Sequence, residues 1–152
     1  MKSIANTGGR DEILDRFSRL THESRGLWGK MNVNQMVCHC ADQVRICIGA
    51  KPTRKKGNFL TRTLIKFVAL NFPVALPKNM GTIYELDPEK AGMTQPAGFQ
   101  EDRNQLAGLI GHFFSLPGSQ HFSHPVFGGL SKQELGKLTY IHLNHHLQQF
   151  GV

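Results

Sequence analysis

Apolar positions along the chain recur at steps of three and four, the spacing of helices, and nowhere alternate for long enough to suggest a strand. In residues 11–20, DEILDRFSRL, the side chains of Ile13, Leu14, Phe17 and Leu20 form one stripe. Asp11 and Glu12 would then stand in a first turn, where the helix dipole favours acid. Asn32, with Gln35 three residues later, is a version of the capping box and predicts a second helix running to about residue 50. Along it Val33, Met36, Val37, Cys40, Val44, Cys47 and Ile48 share a broad face, with Gln35, Asp42 and Gly49 opposite. Residues 59–70 predict a shorter third helix ended by Asn71 and Pro73, followed by a crossover rich in Pro and Gly. Residues 101–115 resume a stripe of Leu106, Leu109, Ile110, Phe113 and Phe114, stopped by Leu116-Pro117-Gly118. Ser131 and Glu134 form a second capping box and open a last helix reaching about residue 150. There is no internal repeat. The expected fold is all-α, a four-helix bundle with an extra crossover helix, in a single domain spanning residues 1–152.

Composition changes this picture little. A hydrophobic share of 39% and a charged share of 19% suit a soluble globular chain. The opening MKSIANTGG has no secretory pattern, and the one long apolar stretch, residues 59–76, is interrupted by Arg62, Lys66 and Pro73. A buried or surface-lying helix is therefore expected rather than a transmembrane segment, in a cytoplasmic protein. Three cysteines, Cys38, Cys40 and Cys47, are an odd count within one helix and make no disulfide framework. The net charge of +7 and a pI near 9.6 imply attraction for anions, whether nucleic acid, acidic membrane or acidic small molecules. The densest basic run, KPTRKKG at residues 51–57, reads as a solvated loop. No groove-reading motif accompanies it, which disfavours nucleic acid.

Candidate chemistry gathers at the C-terminal end, TYIHLNHHLQQFGV. With Leu135 as zero, helical geometry puts Leu138 at about 300°, His142 at about 340°, His146 at about 20° and Gln149 at about 320°, so the apolar stripe turns into histidine. His145, at about 280°, lies on its edge, whereas Tyr140 and Leu147 point elsewhere. Side chains four apart stand one above the other, so His142 and His146 can aim at one ion. Spacing alone does not separate such a pair from surface or core histidines, but a buried imidazole needs partners for both ring nitrogens. A facing helix should supply the next ligand, and His39, on the flank of the second helix near Met36, Gln43 and Ile46, is the best placed. Cys38 and Cys40 are about 200° apart on a helix, so both thiolates cannot join His39 on one ion. Cys40 is expected in the core and Cys38 outward, both structural.

One histidine on the second helix, followed by a closing His-x-x-His-His helix, resembles the DinB-like superfamily of metal-binding four-helix bundles, and within it a subfamily of unassigned function. The likeness rests on LWGKMNVNQMVCHCAD, residues 27–42, and HPVFGGLSKQELGKLTYIHLNHHLQQFGV, residues 124–152; residues 51–100 add little. It implies His39, His142 and His146 as ligands of a divalent metal such as zinc, nickel or iron, and leaves His145 beside them or in packing. Many relatives carry an acidic residue after the first motif histidine, where this chain has Leu143 and Asn144, so no inherited acid or base role is implied. His124 matches the stretch before the last helix, either reaching the pocket or closing a turn.

Three imidazoles with an open position describe a catalytic kind of site, and imidazole alone does not choose among zinc, nickel, copper and iron. The resemblance implies a metal-dependent enzyme, a thiol S-transferase using a low-molecular-weight thiol or a hydrolase-like protein, acting on a small, anionic substrate drawn in by Lys51, Arg54, Lys55 or Arg62. The alternatives are a non-catalytic metal-binding or stress-related module, and a basic binder of nucleic acid or acidic membrane through residues 51–66. A monomer and a homodimer are both compatible with the sequence.

Overall fold

A computed structural model describes residues 1–152. Helix α1 spans Thr7–Ser18 and α2 spans Val33–Cys47; a π-helical turn, Thr61–Ile65, runs into α3, Lys66–Asn71. A 3-10 turn at Tyr84–Leu86 precedes α4, Phe99–Ser115. Strands β1, His121–His124, and β2, Gly128–Ser131, lead directly into α5, Lys132–Gln149.

The two reciprocal caps explain why α2 and α5 begin where they do. Asn32 accepts from the Gln35 amide at 2.9 Å while Gln35 accepts from that of Asn32 at 3.0 Å. Ser131 and Glu134 repeat the exchange at 3.2 and 2.8 Å. Each pair satisfies two of the donors a helix start leaves free. Helix α1 starts earlier than its apolar stripe suggests, because Asn6 accepts from Gly9 and caps it. Its first turn therefore holds no acid. Glu12 instead accepts from the Tyr140 hydroxyl at 2.7 Å and pairs with Lys2, tying α1 to α5.

A single cluster of 24 buried apolar residues fills the interior. Helix α2 runs through it, packed on α4 and α5, and α1 lies against α4 and α5. Met36, Val37 and Cys40 are fully buried on α2, as are Leu143 and Leu147 on α5. Each such aliphatic side chain contributes about 1.5–3 kcal/mol through removal from water. Leu147, expected to point away from the working stripe of α5, thus lies in the core.

The all-α expectation, a four-helix bundle with a crossover helix, is corrected: five helices are joined by a two-stranded antiparallel sheet, making a mixed α/β architecture. Phe122 pairs with Leu130 in that hairpin, and both are buried. Each strand is four residues long with one inward apolar side chain, too short for alternation to show. His124 closes the hairpin turn, its Nδ1 accepting from the Val126 and Phe127 amides at 3.1 and 3.3 Å.

Two expectations for α2 also change. Cys38 is buried rather than outward, and Asp42, placed on the polar face, has no exposed surface at all. The reason is that residues 85–97 fold over that face. Asp42 accepts from the Thr94 amide and hydroxyl, both at 2.7 Å, and pairs with Arg45 and Lys51. All three cysteines are free and buried, and burial pushes the Cys38 and Cys47 thiols up to about 12. None of the helices is long and apolar enough to cross a membrane.

Candidate metal centre

Helix α5 presents His142 and His146 one turn apart, and α2 brings His39 to face them. His39 Nε2 lies 3.0 Å from His142 Nε2, and the nearest ring nitrogens of the three histidines all lie within 4.8 Å of one another. Ring centroids are 4.7 Å apart for His39 and His146 and for His142 and His146. Nitrogens about 2 Å from a tetrahedral ion stand about 3.3 Å apart, so small side-chain rotations close this group on a cation.

The outer nitrogens are held in place. His39 Nδ1 donates to the Leu86 carbonyl, on the 3-10 turn, at 2.8 Å. His146 Nδ1 donates to the Gln149 Oε1 at 2.8 Å, and the Gln149 Nε2 in turn donates to the Trp28 carbonyl at 2.8 Å. Because carbonyl and amide oxygens only accept, His39 and His146 carry hydrogen on Nδ1 and turn bare Nε2 lone pairs inward. His142 adds a third inward nitrogen, while its buried Nδ1 has no partner. Without an ion, the His39 and His142 Nε2 atoms must share one proton, which leaves the His142 Nδ1 as a bare, unpaired acceptor. A cation would take all three lone pairs and let the His142 Nδ1 carry the hydrogen. The donor set therefore fits a divalent metal, with carbonyl and amide partners behind the ligands of the kind that orient metal-bound imidazoles.

Electrostatics favour the ligating form. Burial pushes His39 below the usual imidazole range. It pushes His142 well below, with the neighbouring His146 and His39 adding to the effect. His146 is brought down to about 3, again mainly by burial. Neutral imidazoles are what a metal needs.

The centre forms the floor of a pocket of about 270 Å³, walled by Trp28, Met31, Leu76, Met80 and His145. His145 stands edge-on to Trp28 at 5.9 Å, beside the ligands rather than among them. Lys30 lines the mouth, and the Lys78 ammonium sits 4.3 Å from the centre of the Trp28 ring. Gly29 adopts φ +79°, and a Cβ there would approach the Gln149 Nε2 to 2.5 Å, so only glycine leaves room for the contact between Trp28 and Gln149.

The structure thus brings His39, His142 and His146 together and keeps the rest of the sequence's candidates apart. Lys51, Arg54, Lys55 and Arg62 do not line this pocket, and Lys51 is committed to Asp42. Cys38 and Cys40 stay outside the donor group. Of the residues the sequence left unassigned, Gln149 carried a signal, since it follows His146 at i+3 on the same stripe. The Leu86 carbonyl carried none, because a backbone oxygen has no side-chain identity to read.

No curated protein and no solved structure matches the chain. One family model, described as "Protein of unknown function (DUF1569)", matches residues 6–151. That match begins at the cap of α1, takes in both helices that carry the clustered histidines and ends one residue before the C-terminal Val152, so the chain belongs to the DUF1569 family.

Proposed function

We propose that the chain is a metal-dependent enzyme acting on a small molecule, with a divalent cation held by His39, His142 and His146. The observation that carries this reading is the convergence of three inward imidazole nitrogens, two of which have one proton to share at the expense of an unpartnered, buried His142 Nδ1. A cation so held, with a position left open, lowers the pKa of a water or thiol bound there and so supplies a nucleophile near neutral pH. The resemblance of residues 27–42 and 124–152 to DinB-like proteins favours a low-molecular-weight thiol and S-transfer.

The chain's own residues supply binding and order. Leu86 and Gln149 fix two rings, so the ligands are preorganised rather than gathered at the moment of binding. Trp28, Leu76 and Met80 give the pocket apolar walls that shed water as a substrate enters. Lys78, over the Trp28 ring, and Lys30, which pairs with Glu89 at 3.5 Å, bring positive charge beside the pocket and favour an acidic substrate.

Elemental analysis of protein purified without added metal tests the ligands directly. Wild type should carry about one equivalent of a divalent metal per chain and His142→Ala almost none; equal contents would overturn the assignment. Turnover of electrophiles with a panel of thiols then separates an enzyme from a protein that only binds metal.

A further inference from the structure

Residues 59–71 form a helix whose polarity is reversed. Its basic residues lie along the protein: the Lys66 ammonium donates to the Gly129 carbonyl at 2.6 Å and stands 3.6 Å from the Glu134 carboxylate. Ala69 and Leu70 complete the buried side. The outward side is apolar. Leu60, Leu64, Phe67 and Val68, at i, i+4, i+7 and i+8, are 52%, 58%, 58% and 37% exposed. Phe59 precedes them and Phe72 follows, both more than half exposed. Single exposed apolar side chains are ordinary; a contiguous stripe of large ones on one helix marks an interaction surface.

The charge around the stripe identifies its partner. From residue 43 to residue 84 the chain holds eight Lys or Arg and no Asp or Glu. Arg54, Lys55 and Lys56, in the loop just before the helix, are exposed, and their side chains make no ion pair. A second copy of the chain meeting this face through the same face would bring cations against cations, with no carboxylate from this segment to pair them. Nucleic acid would use the cations and the rings of Phe59, Phe67 and Phe72, but it gains nothing from the aliphatic side chains of Leu60, Leu64, Ile65 and Val68 exposed between them. An anionic bilayer uses both halves: acyl chains receive the apolar stripe while headgroup phosphates and carboxylates receive the cations.

We propose that residues 54–72 are a docking surface for an anionic lipid bilayer, on which the helix lies in the interface plane without spanning it. This is independent of the metal and of the pocket's chemistry. Each basic residue close to an anionic surface strengthens binding about fivefold, and salt weakens it.

Flotation of the full chain with vesicles tests the proposal, comparing phosphatidylcholine alone with equal parts phosphatidylcholine and phosphatidylserine. The protein should partition onto the mixed vesicles and much less onto the neutral ones, and added salt should release it. Lys55→Gln with Lys56→Gln should lower the partition coefficient about 25-fold. Leu64→Glu with Phe67→Glu should lower it at least as far while leaving the melting temperature unchanged, since both side chains are exposed. Equal binding to the two vesicle types, or full binding by the Leu64→Glu/Phe67→Glu pair, overturns the proposal. So does failure to float accompanied by a dimer, seen in sedimentation velocity, that the same pair dissociates; the face would then belong to a second copy.

Discussion

Gln149 fixes the orientation of His146. Its amide oxygen accepts from the His146 Nδ1–H while its nitrogen donates to the Trp28 carbonyl, so the amide cannot turn over without breaking both bonds. Replacing it with leucine keeps much of the volume but leaves a buried N–H unpaired and the ring free to rotate. Loss of such a partner costs about 10–100-fold in metal affinity. Gln149→Leu should therefore weaken binding by that factor in a competition titration against a chromophoric chelator, with all three imidazoles still present. An affinity equal to wild type would mean that packing alone aligns His146. At this scale His142 and His146 were legible because their helical angles set them on the apolar stripe of α5, and His39 only as a candidate on the flank of a facing helix. The Leu86 carbonyl that orients His39 was not.

Among the elements, α2 is unusual in being covered on every side, and Asp42 is the means. Its carboxylate joins the helix to Arg45, to Lys51 beyond the helix end and to Thr94 on the covering segment. Burial by itself would raise its pKa, but the Lys51 ammonium and the Thr94 donors prevail and hold it below the usual carboxylate range. Asp42→Ala would leave the Thr94 donors unpaired and take the carboxylate from Arg45 and Lys51, which keep Gln105 and the Glu85 carbonyl; losing the partner of such partly buried donors costs about 1–3 kcal/mol. Urea denaturation should show a midpoint lowered accordingly, while Asp42→Asn, which keeps one acceptor, should lie between the two. If the alanine variant unfolds at the wild-type midpoint, the covering segment is held by its apolar contacts instead. Because Leu86 belongs to the same segment, loosening it also loosens the partner of His39.

For the whole molecule, pH dependence follows from five histidines held below the ordinary value of 6.5: His39, His142, His146, His124 and His145. With no metal bound, the folded chain keeps them neutral as pH falls through 6.5, whereas the unfolded chain takes up protons there. Unfolding therefore binds protons, and stability is fully present above about pH 6.5 and lost below it. His124, brought down to about 4 by burial, alone accounts for about 2 kcal/mol at pH 5. Calorimetry of chelator-treated protein should show the melting temperature falling between pH 7 and pH 5; a flat profile would contradict the burial of these rings. Adding a divalent metal should raise the melting temperature at pH 7, because ligands that bind only the folded state stabilise it, and this gain should vanish toward pH 5 as protons compete.

The sequence by itself determined what depends on neighbours a few residues apart. The capping boxes at Asn32 and Ser131 set the starts of α2 and α5, and a spacing of four placed His142 and His146 one turn apart. Tertiary structure alone decided what depends on distant partners. It set His39 against His142, 103 positions away, and Thr94 against Asp42, 52 positions away, and so buried a face of α2 that reads as polar. It formed the hairpin, whose strands are too short to carry a period of their own. It also left the apolar side of residues 59–71 facing solvent, since periodicity marks a stripe without saying what the rest of the chain will cover.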